Sequence, residues 1–208
     1  LDKLTGEAYI GHWTARMAKG AIEAGTEENA ADLWKFIAPH VANLNPASIL
    51  EQGCAYGRMM RHLRAQWPKA KLHGVDLSQA ALDGLKADWK GRPPMLYCQS
   101  EPPRDIRVDM IFTCTVLQHV TDDAVLARII EGFEEILNPG GSLVLFENVS
   151  YAEGGGGAHM RHFGPEDYKG LWPGLTWEDC GPFVHQNPLH GSQVHQLMVG
   201  SKAFELSS

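Results

Sequence analysis

No run of apolar residues approaches the roughly 20 needed to cross a bilayer, in a chain of 208 residues that is 44% hydrophobic and 21% charged. The opening Leu1-Asp2-Lys3-Leu4-Thr5-Gly6 lacks the apolar core of a signal peptide, so a cytoplasmic protein without a membrane partner is expected. Cysteine is scarce. Cys54, Cys98, Cys114 and Cys180 stand apart, form no Cys-x-x-Cys, and read as reduced thiols. A cationic excess is also missing: 18 Lys and Arg face 25 Asp and Glu, a formal charge of −7. That balance disfavours an electrostatic grip on nucleic acid or anionic lipid. Nothing repeats at a fixed period, and the low-complexity stretch is Gly154-Gly155-Gly156-Gly157. The length suits one good-sized core and is short for two, so residues 1–208 read as a single domain.

What is present alternates between two periods. Leu33, Trp34, Ile37, Val41 and Leu44 share one face of a helix expected over Asn29–Leu44 and stopped by Asn45-Pro46. A strand at Ser48–Glu51, a glycine-bearing turn, and a helix carrying Met59, Met60, Leu63 and Trp67 follow. Lys71–Leu77 reads as a buried strand, and Ser78 as the N-cap of a helix with Leu82, Leu85 and Trp89 on one face. Met95–Gln99 and Val108–Thr113 read as the third and fourth strands. Thr121-Asp122-Asp123 opens a helix with Leu126, Ile129, Ile130, Phe133 and Leu137 in register; Asn138-Pro139-Gly140-Gly141 ends it, and Ser142–Val149 is the fifth strand. Such alternation argues for a parallel sheet covered on both faces. After residue 150 a helix at Pro165–Trp172 precedes two strand-like runs, Leu175–His185 and Gln193–Ser201. The turn Gln186–Gly191 between them is too short for a parallel crossover, so they pair antiparallel.

The segment Glu51-Gln52-Gly53-Cys54-Ala55-Tyr56-Gly57 lies where the first strand meets its helix. Glycine there admits a ligand close to the backbone, and the helix N-terminus offers free N–H groups. Asp76, at the end of the second strand, can accept hydrogen bonds from both hydroxyls of a ribose. With Val75-Asp76-Leu77-Ser78, Val108-Asp109-Met110-Ile111-Phe112, Val116-Leu117-Gln118-His119-Val120, Leu137-Asn138-Pro139-Gly140-Gly141 and the closing strand pair, this order resembles the class I S-adenosylmethionine-dependent methyltransferases over about residues 46–201. Ala55 stands where that family's acidic-x-Gly-x-Gly-x-Gly motif usually has its middle glycine.

The resemblance implies an α/β fold: a Rossmann-like, doubly wound, mostly parallel seven-stranded sheet with a C-terminal antiparallel strand pair and helices on both faces. It implies a helical cap over residues 1–45, a cofactor-binding core over 46–150, and a lid, helix and closing strands over 151–208. S-adenosylmethionine would be the cofactor and S-adenosylhomocysteine the product. Gly53, Ala55 and Gly57 would line the methionine part, Asp76 would hold the ribose, and Leu77 would pack on the adenine. Gln99 or Ser100 would meet the adenine edge. Thr113 and Gln118 would face the methionine portion and the substrate, and Glu51 would help orient the cofactor.

Methyl transfer to a hydroxyl or amine is helped by a base of near-neutral pKa. Beyond the carboxyl ends of the strands the candidates are His119, Glu147, and His159 and His162 in a glycine-rich segment, residues 151–163, that reads as a mobile lid. Tyr9 and Trp13 read as packing on the sheet; the alternative folds them over the cofactor, with an aromatic face near the sulfonium. His159, His162, His185, His190 and His195 crowd the last part of the chain but match no metal-ligand spacing, so no metal is expected. The leading reading is methylation of an oxygen, less readily a nitrogen, of a small molecule or sugar. Two alternatives stand beside it. One is a nicotinamide-dependent oxidoreductase, against which the missing Gly-x-Gly-x-x-Gly counts. The other is a nucleoside- or partner-binding module without catalysis.

Overall fold

In a computed structural model that describes residues 4–18, 27–150, 158–187 and 191–204, two N-terminal helices, α1 (Gly6–Ala18) and α2 (Glu27–Val41), precede the sheet. Then come β1 (Ser48–Gln52), α3 (Arg58–Gln66), β2 (Lys71–Asp76), α4 (Gln79–Asp88), β3 (Met95–Cys98) and β4 (Val108–Cys114). A 3₁₀ turn at Leu117–His119 leads to α5 (Asp123–Ile136), β5 (Leu137–Asn148), α6 (Pro165–Gly170), β6 (Leu175–Asn187) and β7 (Gly191–Lys202). The strands form one sheet in the order β3-β2-β1-β4-β5-β7-β6. The first five are parallel, and β7 lies antiparallel between β5 and β6. The expected doubly wound, seven-stranded arrangement is what forms. Its strand order reverses between β1 and β4, and a ligand crevice belongs beyond their carboxyl ends.

The sheet buries a layer on each face. Ile37, Leu63 and Leu85 of α2, α3 and α4 pack with Ile49, Phe112 and Phe146 on one side. On the other, Tyr9 of α1, Ile129 and Phe133 of α5, and Tyr168 of α6 pack with Leu50, Ile111 and Leu145. The two N-terminal helices therefore serve opposite faces. Helix starts follow their caps: the Ser78 hydroxyl accepts from Ala81 N at 3.3 Å, and Asp122 Oδ1 accepts from Ala124 N and Val125 N at 2.9 and 3.1 Å. No helix among the described residues is long and apolar enough to cross a membrane.

Several boundaries differ from the sequence pattern. Helix α2 ends at Val41 rather than Leu44, because Pro39 inside it has no N–H for the last turn. Strand β5 begins at Leu137, not Ser142: Leu137 pairs with Val108, residues 138–141 bulge outward, and pairing resumes at Ser142 opposite Met110. That bulge is held by Asn138 Nδ2, which donates to Asp109 Oδ1 at 2.8 Å, and by Gly140 at φ +75. Helix α6 is shorter than expected, and β6 and β7 pair out to Asn187 and Gly191. The tetraglycine stretch and residues 188–190 lie outside the described residues.

Candidate functional site

The loop after β1 is fixed by the end of β2. Gly53 N and Cys54 N both donate to Val75 O, at 2.7 and 3.0 Å. Ala55 N donates to Asp76 Oδ2 at 2.8 Å, and Ser78 N to Asp76 Oδ1 at 2.9 Å. Burial pushes the Asp76 carboxyl above the ordinary carboxylate range, while the N–H groups of Ser78, Ala55 and Leu77 pull it back. Gly53 is left-handed at φ +72, and a Cβ there would lie 2.4 Å from Val116 Cγ2; only glycine fits.

Beyond these strand ends opens a cavity of about 830 Å³ including its mouth, with Gln52, Gly53, Ala55 and Asp76 along it. Leu77, Gln99 and Ser100 line the side toward β3, and Cys114, Thr115 and Val116 the side toward β4. Arg58 enters from the first turn of α3, and α1 contributes Tyr9 and Trp13. Thr115 is a β-branched residue at φ 57, a strained conformation held where Thr115 N donates to Phe146 O at 2.7 Å.

A polar network lies behind this wall. Glu147 is fully buried; its Oε1 accepts from Thr113 Oγ1 at 2.7 Å and Val116 N at 3.3 Å, and its Oε2 accepts from Gln118 N at 3.3 Å. Burial pushes the Glu147 carboxyl up to about 7, against the pull of those donors. Asn148 N donates to Gln118 Oε1 at 2.6 Å, which turns the amide nitrogen of Gln118 toward His119 Nε2, 3.2 Å away. His119 Nδ1 meets the His159 carbonyl at 3.2 Å. A carbonyl only accepts, so Nδ1 carries the proton and Nε2 is the acceptor. Both ring nitrogens are engaged, and burial holds the imidazole neutral, with a pKa pushed down to about 3. The rings of His12, His159 and His119 stack successively at 5.7 and 5.8 Å, with Trp13 4.5 Å from His119.

Set against the sequence expectations, Gly53, Ala55, Asp76, Leu77, Gln99, Ser100 and His119 come together on the cavity wall. Glu51, Thr113, Gln118 and Glu147 are buried, outside the cavity lining. Gly57 is set by φ +76 and by Leu85, whose Cδ1 would lie 2.7 Å from a Cβ there; it does not line the cavity. His159 backs the wall through His119, and the His162 side chain is exposed and lines no part of the cavity. Residues 158–163 are fastened rather than free: Arg161 is buried, its N–H donates to Gln118 O at 2.6 Å, its Nε donates to Val120 O, and its guanidinium pairs with Asp123 at 2.6 Å. Among the described residues no group of three His, Cys, Asp or Glu is placed to hold a metal.

The wall residues that sequence reasoning passed over are Gln52, Arg58, Cys114, Thr115, Val116, Val120 and Ile129. Gln52 carried a signal, a second polar side chain after Glu51 where an otherwise apolar strand runs into the glycine turn. Thr115 carried none, since its strain comes from pairing.

A family described as "Methyltransferase domain" matches residues 50–143, the stretch that builds most of this wall. Over those residues the chain is similar to S-adenosylmethionine-dependent methyltransferases, whose fold it shares. Similar curated proteins are two trans-aconitate 2-methyltransferases. The one from Pseudomonas paraeruginosa is 30% identical over 109 residues, 50% of this chain and 37% of the relative. The one from Pseudomonas aeruginosa is 32% identical over 103 residues, 47% and 34% of the two chains. The chain thus matches about a third of the length of these relatives. Among solved structures, a SAM-dependent methyltransferase from Anabaena variabilis superposes with a TM-score of 0.71 at 13% identity, covering 97% of this chain and 98% of that one. The N-methyltransferase NodS from Bradyrhizobium japonicum, solved with S-adenosyl-L-homocysteine, gives 0.68 at 14% identity, covering 93% and 98%. These superpositions share the fold.

The residues of this wall fit S-adenosylmethionine, the cofactor that the similarity implies. Asp76 presents its carboxylate to the cavity beside a glycine whose Cβ has no room, and Gln52 Oε1 is buried with no partner among the described residues. Asp76 would hold the ribose, Leu77 would pack on the base, and Gln99 and Ser100 would face its edge. Gly53 and Ala55 would pass under the methionine portion.

Proposed function

We propose that the chain binds S-adenosylmethionine in this cavity and methylates an oxygen of a small molecule, a carboxylate in particular. When bound, the cofactor supplies a methyl carbon activated by its sulfonium, displaced in line onto the acceptor. The protein's part is then to position the acceptor and exclude water. Arg58, in the first turn of α3, brings a positive charge to the cavity wall, suited to the carboxylate at the amino-acid end of the cofactor. Tyr9 and Trp13 bring an aromatic surface from α1 to the cavity.

The observation that carries the carboxylate reading is the state of the ionisable groups on the wall. His119 has both nitrogens engaged and is held neutral. Burial pushes the Tyr9 hydroxyl and the Cys114 thiol far above neutrality, and Asp76 is tied to backbone N–H groups. None of the described wall residues is poised to take a proton at neutral pH, so an acceptor that arrives already ionised suits the site. Trp13 Nε1, buried and without a partner among the described residues, offers a donor to such an oxygen. The relatives whose name specifies trans-aconitate, a carboxylate, point the same way. The reading places the protein in the cytosol, in keeping with four unpaired cysteines.

The test is a methyl-transfer assay on a panel of carboxylic acids, sugars, phenols and amines. The account expects methyl esters, with a rate that is flat between about pH 6 and 8 because carboxylic acids are fully ionised there. Turnover confined to amines or sugar hydroxyls, rising with pH, would overturn it.

A further inference from the structure

Gln52 ends β1 on the face that carries Leu50. Every residue of that strand is buried, and Gln52 itself is only 4% exposed. A side-chain amide in such a place has to satisfy two ends. One end is settled: Nε2 donates to the Ser100 carbonyl at 2.8 Å. Because a carbonyl accepts only, this bond fixes which way the amide faces, and Oε1 is turned away from Ser100. Oε1 is buried and has no partner among the described residues, although the residue belongs to the cavity wall. An aliphatic side chain would fill the same position without that penalty.

Two neighbours say which ligand group the oxygen meets. Ser100, which anchors the amide, follows β3 and lines the cavity together with Gln99. Asp76, the group suited to a ribose, has its two oxygens already oriented by Ala55 N and Ser78 N. The Gln52 amide is therefore tied to the β3 side of the site, at the base rather than at the methionine end.

We propose that Gln52 Oε1 accepts a hydrogen bond from the 6-amino group of the cofactor's adenine and so selects a 6-amino over a 6-oxo purine. This rests on the cofactor reading given above. The Ser100 carbonyl acts through Gln52, holding the amide so that it presents an acceptor and not a donor. A 6-oxo purine would place an oxygen against Oε1 and leave both without a donor.

The test is direct titration calorimetry with S-adenosylhomocysteine and S-inosylhomocysteine, which differ at that position in carrying an amino group or an oxygen. Wild type should bind the adenosyl ligand about tenfold or more tightly than the inosyl one. Gln52→Leu, and the near-isosteric Gln52→Met in case the leucine variant folds poorly, should bind the adenosyl ligand about tenfold more weakly. Their affinity for the inosyl ligand should stay the same, so that the preference collapses. Unchanged preference in a folded variant would overturn the proposal. Equal weakening toward both ligands would also overturn it, since the oxygen would then read the ribose or the cavity shape. If wild type bound neither ligand, the cofactor reading itself would fall, a result distinct from binding that ignores Gln52.

Discussion

Ala55 holds a left-handed backbone, φ 45, at a motif position where glycine is usual. The conformation is kept because Ala55 N must reach Asp76 Oδ2. A Cβ in that region costs about 1–2 kcal/mol, partly offset by the lower unfolded-state entropy of alanine. Ala55→Gly should therefore raise stability by about 0.5–1 kcal/mol, read as a higher urea midpoint with an unchanged slope. Gly53→Ala should do the reverse. Its added Cβ meets Val116 Cγ2 at 2.4 Å as well as the left-handed strain, so a loss of about 2–4 kcal/mol is expected. His119 is the third residue-scale case. A lost general base costs about 10²–10⁴ in rate, whereas a ring that only braces Trp13 and the wall costs less. His119→Asn should lower kcat less than about 100-fold and leave the shape of the pH profile unchanged. His119 was legible in the sequence as a histidine at a strand end. Its engagement was not, because both partners, Gln118 Nε2 and the His159 carbonyl, are set by tertiary packing.

At the scale of elements, Asp122 joins two helices. Its Oδ1 caps α5, and its Oδ2 accepts from Gly6 N at 2.6 Å, at the start of α1. Thr121 Oγ1 donates to Leu4 O at 2.8 Å and strengthens the same seam. Asp122→Ala should cost about 1–2 kcal/mol and raise amide exchange both in the first turn of α5 and at the start of α1. Faster exchange in α5 alone would show that α1 is held by other contacts. The α5 cap could be read from Thr121-Asp122-Asp123, since a cap is a local signal. The placement of α1 could not: residues 1–28 carry no clean apolar stripe, and Tyr9 and Trp13 reach the cavity through contacts with segments more than a hundred residues away. The early start of β5 was hidden for a similar reason, as Leu137 becomes a strand residue only by pairing with Val108.

Across the whole molecule, buried acids make stability depend on pH in an unusual direction. The folded Glu147 keeps its proton up to about 7, against an ordinary 4.5. Between those values the folded state binds more protons than the unfolded one, so stability falls as pH rises from about 4.5 to 7 and then levels, by something of the order of 3 kcal/mol. His119 acts oppositely. Its pKa falls from 6.5 to about 3 on folding, so its contribution is complete above about 6.5 and is lost as pH falls toward 3. Above about pH 6.5 Glu147 acts without this opposition, and Glu147→Gln should flatten the fall that wild type shows in urea unfolding between about pH 6.5 and 7.5.

The same scale shows why the fold was legible and the chemistry less so. Strand runs, Ser78, Asp122 and the Gly53 turn are local signals, and a parallel sheet covered on both faces with an antiparallel closing pair followed from them; the doubly wound, seven-stranded order was what the family resemblance implied. The cavity wall mixes four strand ends with α1, α3 and α5, and its decisive facts are hydrogen bonds between residues far apart in sequence.

The central claim is a cavity in which Asp76 holds the ribose of S-adenosylmethionine. Titration of S-adenosylhomocysteine into wild type and Asp76→Ala, each first shown to unfold cooperatively, tests it most directly. The account predicts saturable binding near one ligand per chain in wild type and a loss of at least about 100-fold in the variant. No binding to wild type, or undiminished binding to a folded Asp76→Ala, would contradict it.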